Sequence, residues 1–222
     1  MRKVIVNNIV SLDGYFADAS GSPLALATDA AFDRANLESI ASAELLLLGR
    51  DSFDGFSAYW PYIADAPEPE NPHAPEARDV DDTNREISRR FNGLPKVVVS
   101  DRGPIPTDNP WAKTTTVIRR ADVAAWLAKA TAEGDGNIVV FASHIVWNPL
   151  LAQGLVDELH LMVSPVALGS GIPLFIESTR LELLEVRRFD NSSNIQLCYH
   201  PTRLSDMRDD LGRQREDQGA TT

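Results

Sequence analysis

Short apolar runs alternate with amphipathic stretches along most of the chain. The runs are rich in leucine or β-branched residues and stop at Gly, Ser or Asp, as buried strands do. They lie at 3–10 (KVIVNNIV), 45–49 (LLLLG), 96–101 (KVVVSD), 137–143 (NIVVFAS) and 156–168 (VDELHLMVSPVAL). Apolar residues at helical spacing predict helices over 29–43 and 120–134, and a short helix over 145–154.

Helices between nearly continuous apolar strands indicate parallel pairing, with both faces of the sheet covered. The last two runs, 181–190 and 194–200, predict a closing antiparallel hairpin. The predicted fold is therefore α/β: a mixed, largely parallel sheet flanked by helices, with a C-terminal antiparallel hairpin. Ligands of such sheets bind beyond the carboxyl ends of the strands, where loops and helix N-termini converge.

Two polar segments depart from this pattern. Residues 64–86 contain eight acidic residues and four prolines, which predicts an exposed excursion over 64–82 and then a short helix over 81–92. Residues 203–222 are polar throughout, and we expect a frayed, disordered tail. Neither segment resembles a domain boundary, so a single domain over 1–202 is predicted.

Composition narrows the function classes. The formal net charge of −11 argues against a nucleic-acid partner, whose phosphates favour a basic surface. No apolar stretch is long enough to span a membrane, and the single cysteine, Cys198, fits a reducing compartment. We expect a cytoplasmic protein with no nucleic-acid or membrane partner.

The residues after the strands are the candidates for chemistry. Gly49 and Arg50 follow the leucine run, and Asp51 and Ser52 come where a helix is expected to begin, so either could be its N-cap. Such a helix start can present backbone N–H groups to an anion, although an ordinary strand-to-helix turn that binds nothing has the same pattern. The four histidines are scattered without metal-ligand spacing, and no nucleophile elbow, P-loop or G-x-G-x-x-G is present.

Four motifs together resemble the dihydrofolate reductase-like superfamily. They are VSLDGYFA, LLLLGRDSF, KVVVSDR and the long GLVDELHLMVSPVALGSGIPLF. The resemblance is greatest to the reductase domain of the riboflavin-pathway deaminase–reductase and its stand-alone relatives, and it covers roughly residues 2 to 200. It implies hydride transfer from NADPH to a C=N or C=O group of a small heterocyclic substrate. The zinc-ligand signature of the deaminase half is missing.

The resemblance also implies a role for particular residues. Gly49, Arg50 and Ser52 would meet the phosphates of NADPH, with Arg50 pairing with the 2′-phosphate or a neighbouring phosphate. Ser100 and Arg102 would lie at the adenosine end. The segment from Ser11 to Gly14 would lie where nicotinamide meets substrate. Its Asp13 would then orient the substrate or relay a proton, or would only form an Asx-type turn.

Two features depart from the family pattern. Ala142-Ser143-His144 stands where family members commonly have glycines that let the backbone approach the pyrophosphate. Ala142 and His144 could crowd or shift the cofactor, and His144 could instead donate an N–H to a phosphate. Asp101 lies where a carboxylate would repel the 2′-phosphate, which weakens any preference for NADPH over NADH.

Three functions therefore remain open at the level of sequence. The first is an NADPH-dependent reductase of a small heterocyclic substrate, and the second is a ligand-binding protein of the same fold without catalytic activity. The third is a partner-binding module, for which the acidic excursion is the candidate surface. Because LHLMVSPVAL is apolar on both alternating faces, a homodimer is also predicted.

Overall fold

Ten strands and five α-helices form the described part of the chain, residues 2–71 and 75–202 of a computed structural model. The predicted tail at 203–222 lies outside the described residues. The strands are β1 (Val4–Ser11), β2 (Tyr15–Ala17), β3 (Ala43–Gly49), β4 (Lys96–Val99), β5 (Thr115–Ile118), β6 (Asn137–Phe141), β7 (Glu158–Ser164), β8 (Ile172–Pro173), β9 (Arg180–Arg188) and β10 (Ile195–Thr202). The helices are α1 (Ala30–Ala41), α2 (Arg50–Tyr59), α3 (Asp82–Gly93), α4 (Val123–Ala132) and α5 (His144–Ala152).

Eight strands form one sheet in the order β5-β4-β3-β6-β1-β7-β10-β9. The first six of these strands pair in parallel, whereas β10 is antiparallel to both β7 and β9. The predicted mixed, largely parallel sheet with a C-terminal antiparallel hairpin is confirmed. Strands β2 and β8 form a separate two-stranded sheet.

The leucine run of β3 shows why the central strands are apolar throughout. Leu46 and Leu48 face a core cluster with α2 and α3, while Leu47, between them, faces the opposite cluster with α4 and α5. All three side chains are fully buried. Because successive side chains of a strand point to opposite faces, a strand covered by helices on both sides favours apolar residues at every position.

The sequence did not predict every element. Strand β5 is a short edge strand rich in threonine and only partly buried, so it lacks the apolar run that marks the inner strands. Helix α2 begins at Arg50 with Gly49 as its N-cap and has no side-chain cap. Asp51 and Ser52 therefore lie inside its first turn, and the prediction that they cap the helix is wrong.

The acidic excursion is held at both ends by buried arginine contacts. The Arg85 guanidinium of α3 donates to the carbonyl oxygens of Ala64 (3.1 Å), Ala66 (2.8 Å) and Val80 (2.8 Å). A short 3-10 helix, Pro75–Val80, precedes α3. The chain around 64–66 and at Val80 is therefore tied to the body of the protein.

No helix within residues 2–71 and 75–202 is both long enough and apolar enough to cross a membrane.

Candidate functional site

The N-termini of α2 and α5 are joined at the carboxyl ends of the adjacent strands β3 and β6. The Gly49 N–H donates to Ser143 Oγ at 2.9 Å, and the Ser143 N–H donates to Ser52 Oγ at 3.1 Å. The first N–H groups of a helix have no intrahelical partner, so two helix starts side by side bring two partial positive charges together. Gly49, Ser52 and Ser143, predicted from separate motifs, are thus in direct contact.

Gly49 allows α5 to approach β3 closely. A Cβ built on Gly49 would lie 3.1 Å from Val146 Cγ2 and 3.6 Å from Ser143 Cβ. The φ of Gly49 is −73°, which any residue can adopt, so space rather than backbone conformation requires glycine at this position. A larger residue would push the start of α5 away from α2.

Ala142 and Ser143 adopt left-handed backbone conformations, with φ of 50° and 55°. Residues with a Cβ rarely do so, because the Cβ approaches the following carbonyl oxygen. The conformation is held by bonds to the Ala142 carbonyl oxygen from Asn8 Nδ2 (3.0 Å) and Trp147 Nε1 (2.9 Å). The Ala142 N–H donates to the Asn7 carbonyl oxygen at 3.2 Å. Strain in this loop is therefore fixed by buried neighbours, as is common at binding sites.

His144, the first residue of α5, packs its ring against Phe16 of β2. The ring centroids are 4.1 Å apart with an interplanar angle of 36°. Burial lowers the pKa of His144, which favours a neutral imidazole at neutral pH. The His144 side chain is thus engaged by β2.

The loop after β1 is bound to the loop after β7 through Asp13. The Asp13 carboxylate accepts hydrogen bonds from Ser11 Oγ (2.6 Å), the Gly169 N–H (2.7 Å) and the Leu168 N–H (3.1 Å). The Ser11 bond and these backbone bonds lower the pKa of Asp13 to about 2. Asp13 is therefore a carboxylate at neutral pH and carries no proton to give to a substrate.

Further contacts fix the loop after β1 and the start of β2. Gly14 has a φ of 91°, and its N–H closes a turn onto the Ser11 carbonyl oxygen. The Leu12 N–H donates to the Val166 carbonyl oxygen at 2.8 Å, while the Leu12 side chain is 71% exposed. A Cβ on Gly171 would overlap the Ala17 carbonyl oxygen, which explains a glycine where β2 and β8 meet.

Arginines and aspartates line the carboxyl ends of β3 and β4. Arg50 Nε donates to both carboxylate oxygens of Asp54, at 2.8 and 3.1 Å. Arg102 pairs with Asp51 at 2.6 Å and with Asp54 at 3.8 Å. The Ser100 hydroxyl accepts the Arg102 N–H at 3.0 Å. The predicted residues Arg50, Ser100 and Arg102 thus belong to one network.

The predicted site residues form three groups. The helix starts contain Gly49, Ser52, Ala142, Ser143 and His144; the arginine network contains Arg50, Ser100 and Arg102; the loop after β1 contains Ser11, Asp13 and Gly14. Asn8 connects the first group to the strand that leads into the third, since it lies on β1 and holds the Ala142 carbonyl.

Sequence reasoning missed Asn8, Trp147 and Asp54. A signal existed for Asn8, because an asparagine inside an otherwise apolar strand must find a hydrogen-bond partner when buried. Asp54 lies one helical turn after Arg50, the spacing of a helical ion pair. Nothing in the sequence pointed to the Trp147 bond.

A cavity of about 370 Å³ lies at the opposite edge of the sheet, beside the amino ends of β1 and β7. Three of its lining side chains contact each other: Lys3 Nζ lies 2.7 Å from one oxygen of Glu158, and His160 Nε2 lies 2.8 Å from the other. Across the described ranges, 2–71 and 75–202, no group of three or more His, Cys, Asp or Glu side chains is placed to hold a metal ion.

Comparisons with known proteins agree with this fold. The chain is 26% identical over 202 residues to the uncharacterized protein YyaP of Bacillus subtilis, covering 90% of this chain and 95% of that protein. It superposes on RibD of Acinetobacter baumannii with a TM-score of 0.64 and 20% identity, over 91% of this chain and 59% of that one. Dihydrofolate reductase of Enterococcus faecalis, solved with NADP(H), gives a TM-score of 0.53 and 15% identity, over 90% of this chain and 96% of that one.

Residues 2–194 match the family described as the RibD C-terminal domain. The match spans nearly the whole described chain and confirms the resemblance found in the four sequence motifs. The chain belongs to the RibD C-terminal domain family.

Proposed function

We propose that this protein is an NADPH-dependent reductase of a small heterocyclic substrate, similar to the 5-amino-6-(5-phosphoribosylamino)uracil reductases of riboflavin biosynthesis. The observation that carries the proposal is the pair of helix starts, of α2 and α5, which are joined by hydrogen bonds through Ser52 and Ser143. Family membership supports it. The Enterococcus dihydrofolate reductase that shares the fold was solved with NADP(H), which supports a dinucleotide as the ligand.

The residues at the helix starts fit a pyrophosphate. The hydrogen bonds among Gly49, Ser52 and Ser143 hold the two helix ends together before any ligand arrives, so little ordering is needed on binding. The backbone N–H groups of the first turns would then donate to phosphate oxygens. Arg50 and Arg102 would lie near the adenosine end, where a 2′-phosphate needs a cation.

When bound, the reduced dinucleotide supplies a hydride, and the protein has to orient the substrate and admit a proton. In this proposal the loop from Ser11 to Gly14 forms one wall of the substrate site, held by the Asp13 bonds to Leu168 and Gly169. Since Asp13 is ionised, its part is to accept a hydrogen bond from the substrate or to keep the loop in place. The proton then comes from solvent.

A second candidate function is a ligand-binding protein of this fold without catalytic activity. One observation favours it: the predicted proton relay, Asp13, has a pKa of about 2 and is occupied by three donors. Both candidates predict dinucleotide binding, and only the first predicts turnover. We also propose a cytoplasmic location, which suits a chain whose single cysteine, Cys198, is buried and unpaired.

Thermal unfolding with and without NADPH tests the dinucleotide site, because a ligand that binds only the folded state raises the melting temperature. NADPH oxidation with aminopyrimidine ribosides and dihydropteridines then tests catalysis. No rise in melting temperature at millimolar NADPH would overturn both candidates, while a rise without turnover would favour the binding protein. Gly49→Val, which fills the space beside Val146, should remove the rise.

A further inference from the structure

Each arginine at the predicted adenosine end already has a carboxylate partner. Arg50 is held by Asp54 through both carboxylate oxygens, and its side chain is only 16% exposed. Arg102 is bound by Asp51 at 2.6 Å, and both of these side chains extend into solvent, at 56% and 82% exposure. The carboxylates come from the first turn and a half of α2, directly beside the arginines.

A third pair lies next to these two, across the ends of β4 and β5. Asp101 accepts the Arg120 N–H at 3.2 Å, and the Arg120 side chain approaches its other oxygen at 3.8 Å. Around the carboxyl ends of β3, β4 and β5, three arginines are therefore matched by three aspartates. The charges of these six side chains cancel.

When a 2′-phosphate binds an arginine that already has a carboxylate partner, the binding free energy gained is only the difference between the new arginine–phosphate bond and the arginine–carboxylate bond that it displaces. Arg102 must give up or share Asp51 to meet a phosphate, and the displaced carboxylate stays within a few ångströms of the new anion. Two like charges at such a distance repel, and screening by salt is incomplete below the Debye length. A ribose hydroxyl in place of the phosphate has no such cost.

We propose that Asp51 and Asp54 determine dinucleotide specificity in this chain by pairing with Arg102 and Arg50, so that NADH and NADPH bind with similar affinity. This inference rests on the proposed function, since it assumes that the dinucleotide lies across α2. It differs from an unpaired arginine site, which prefers the phosphorylated cofactor strongly. Asp51 is the specificity residue, because within residues 2–71 and 75–202 its side chain is bonded to Arg102 alone, whereas the Asp54 side chain also fixes the direction of Arg50.

Titration calorimetry with NADPH and NADH on the wild type and on Asp51→Asn tests the proposal. The wild type should bind the two within about tenfold, and Asp51→Asn should tighten NADPH about fivefold while leaving NADH unchanged, as expected for one partly exposed charge pair. The gain should shrink at high salt. Asp135→Asn is the matched control, since it removes the same charge from an exposed position at the amino end of β6 and should change neither affinity.

The outcomes distinguish a failure of this inference from a failure of the proposed function. Binding of neither dinucleotide to the wild type would overturn the proposed function. Two unpaired arginines would favour NADPH over NADH by roughly a hundredfold. A wild type with a preference of that size or larger would overturn the inference alone. An unchanged ratio of the two affinities in Asp51→Asn would do the same. Because Asp51 is 82% exposed, the variant is expected to fold.

Discussion

Replacing Ala142 by glycine should stabilise the protein or leave its stability unchanged, although glycine normally destabilises. Ala142 has a φ of 50°, where an L-residue with a Cβ is strained and glycine is not. The three backbone and side-chain bonds around Ala142 involve only its own carbonyl and N–H groups, so they survive the substitution. The change therefore isolates the backbone strain.

The expected size follows from two opposing terms. Relief of the left-handed strain is worth about 1–2 kcal/mol, and the greater freedom of glycine in the unfolded chain costs about 0.4–1 kcal/mol. The free energy of unfolding should thus rise by about 0.8 kcal/mol, within a range from zero to roughly 1.6 kcal/mol. At Ala128, exposed in the middle of α4, the same substitution has no strain to relieve and should cost about 1 kcal/mol.

Urea unfolding of the wild type, Ala142→Gly and Ala128→Gly measures both effects under one set of conditions. Calorimetry with NADPH on the same three proteins should show unchanged or tighter binding for Ala142→Gly, because glycine lets the backbone come closer to a pyrophosphate. If Ala142→Gly destabilises as much as Ala128→Gly, the strain argument is wrong. If it also weakens NADPH binding, the Ala142 conformation is itself needed for the ligand.

Three further predictions concern charge, anchoring and assembly. Burial lowers the pKa of Lys96 to about 8 from 10.5, so between these values the unfolded state binds more protons at Lys96. The contribution of Lys96 to the free energy of unfolding should therefore rise with pH by roughly 3 kcal/mol, seen as the difference between the wild type and Lys96→Met in urea unfolding at successive pH values. Arg85→Ala should lower the free energy of unfolding by about 2–4 kcal/mol and expose residues 64–71 to proteolysis. Arg89→Ala, on the solvent side of α3, should do neither, and equal cleavage of the two variants would contradict the anchoring role of Arg85. We propose that this chain forms a homodimer through the exposed apolar face of the β9–β10 hairpin. Light scattering should then show monomers for Val186→Glu, and a monomeric wild type would refute the dimer.

The sheet was predictable because its inner strands are buried on both faces. Leu46, Leu47 and Leu48 are fully buried, and no arrangement with an exposed face would accept them. The edge strand β5 gave no such signal, since two of its four residues are threonine and none is fully buried. The apolar residues of β7, which suggested a dimer, are covered within the chain on both faces: Leu159 and Leu161 belong to one core cluster, and Met162 belongs to another.

The site was predictable in its parts and not in its connections. Gly49 and Ser52 follow from the strand-to-helix pattern and Ser143 from the end of the apolar run at 137–143, about ninety residues later. The bonds that join them depend on β3 and β6 being neighbours. The left-handed loop at Ala142 was hidden for a different reason. Alanine carries no signal for positive φ. The conformation exists because Asn8, distant in sequence on β1, and Trp147, on α5, both donate to the Ala142 carbonyl oxygen.

Asp13 shows how the surroundings of a residue change its chemistry. As a carboxylate in SLDG it had the residue type of a proton relay, yet two backbone N–H groups and a serine hydroxyl bind its charged form. Donors to a charged carboxylate hold the proton off, so the group stays ionised at any pH at which the protein would work. In the proposed reductase, the proton delivered to the substrate would then come from water. If the protein is a reductase, its rate should depend on protons supplied by water, and the pH dependence of the rate should not follow the titration of Asp13.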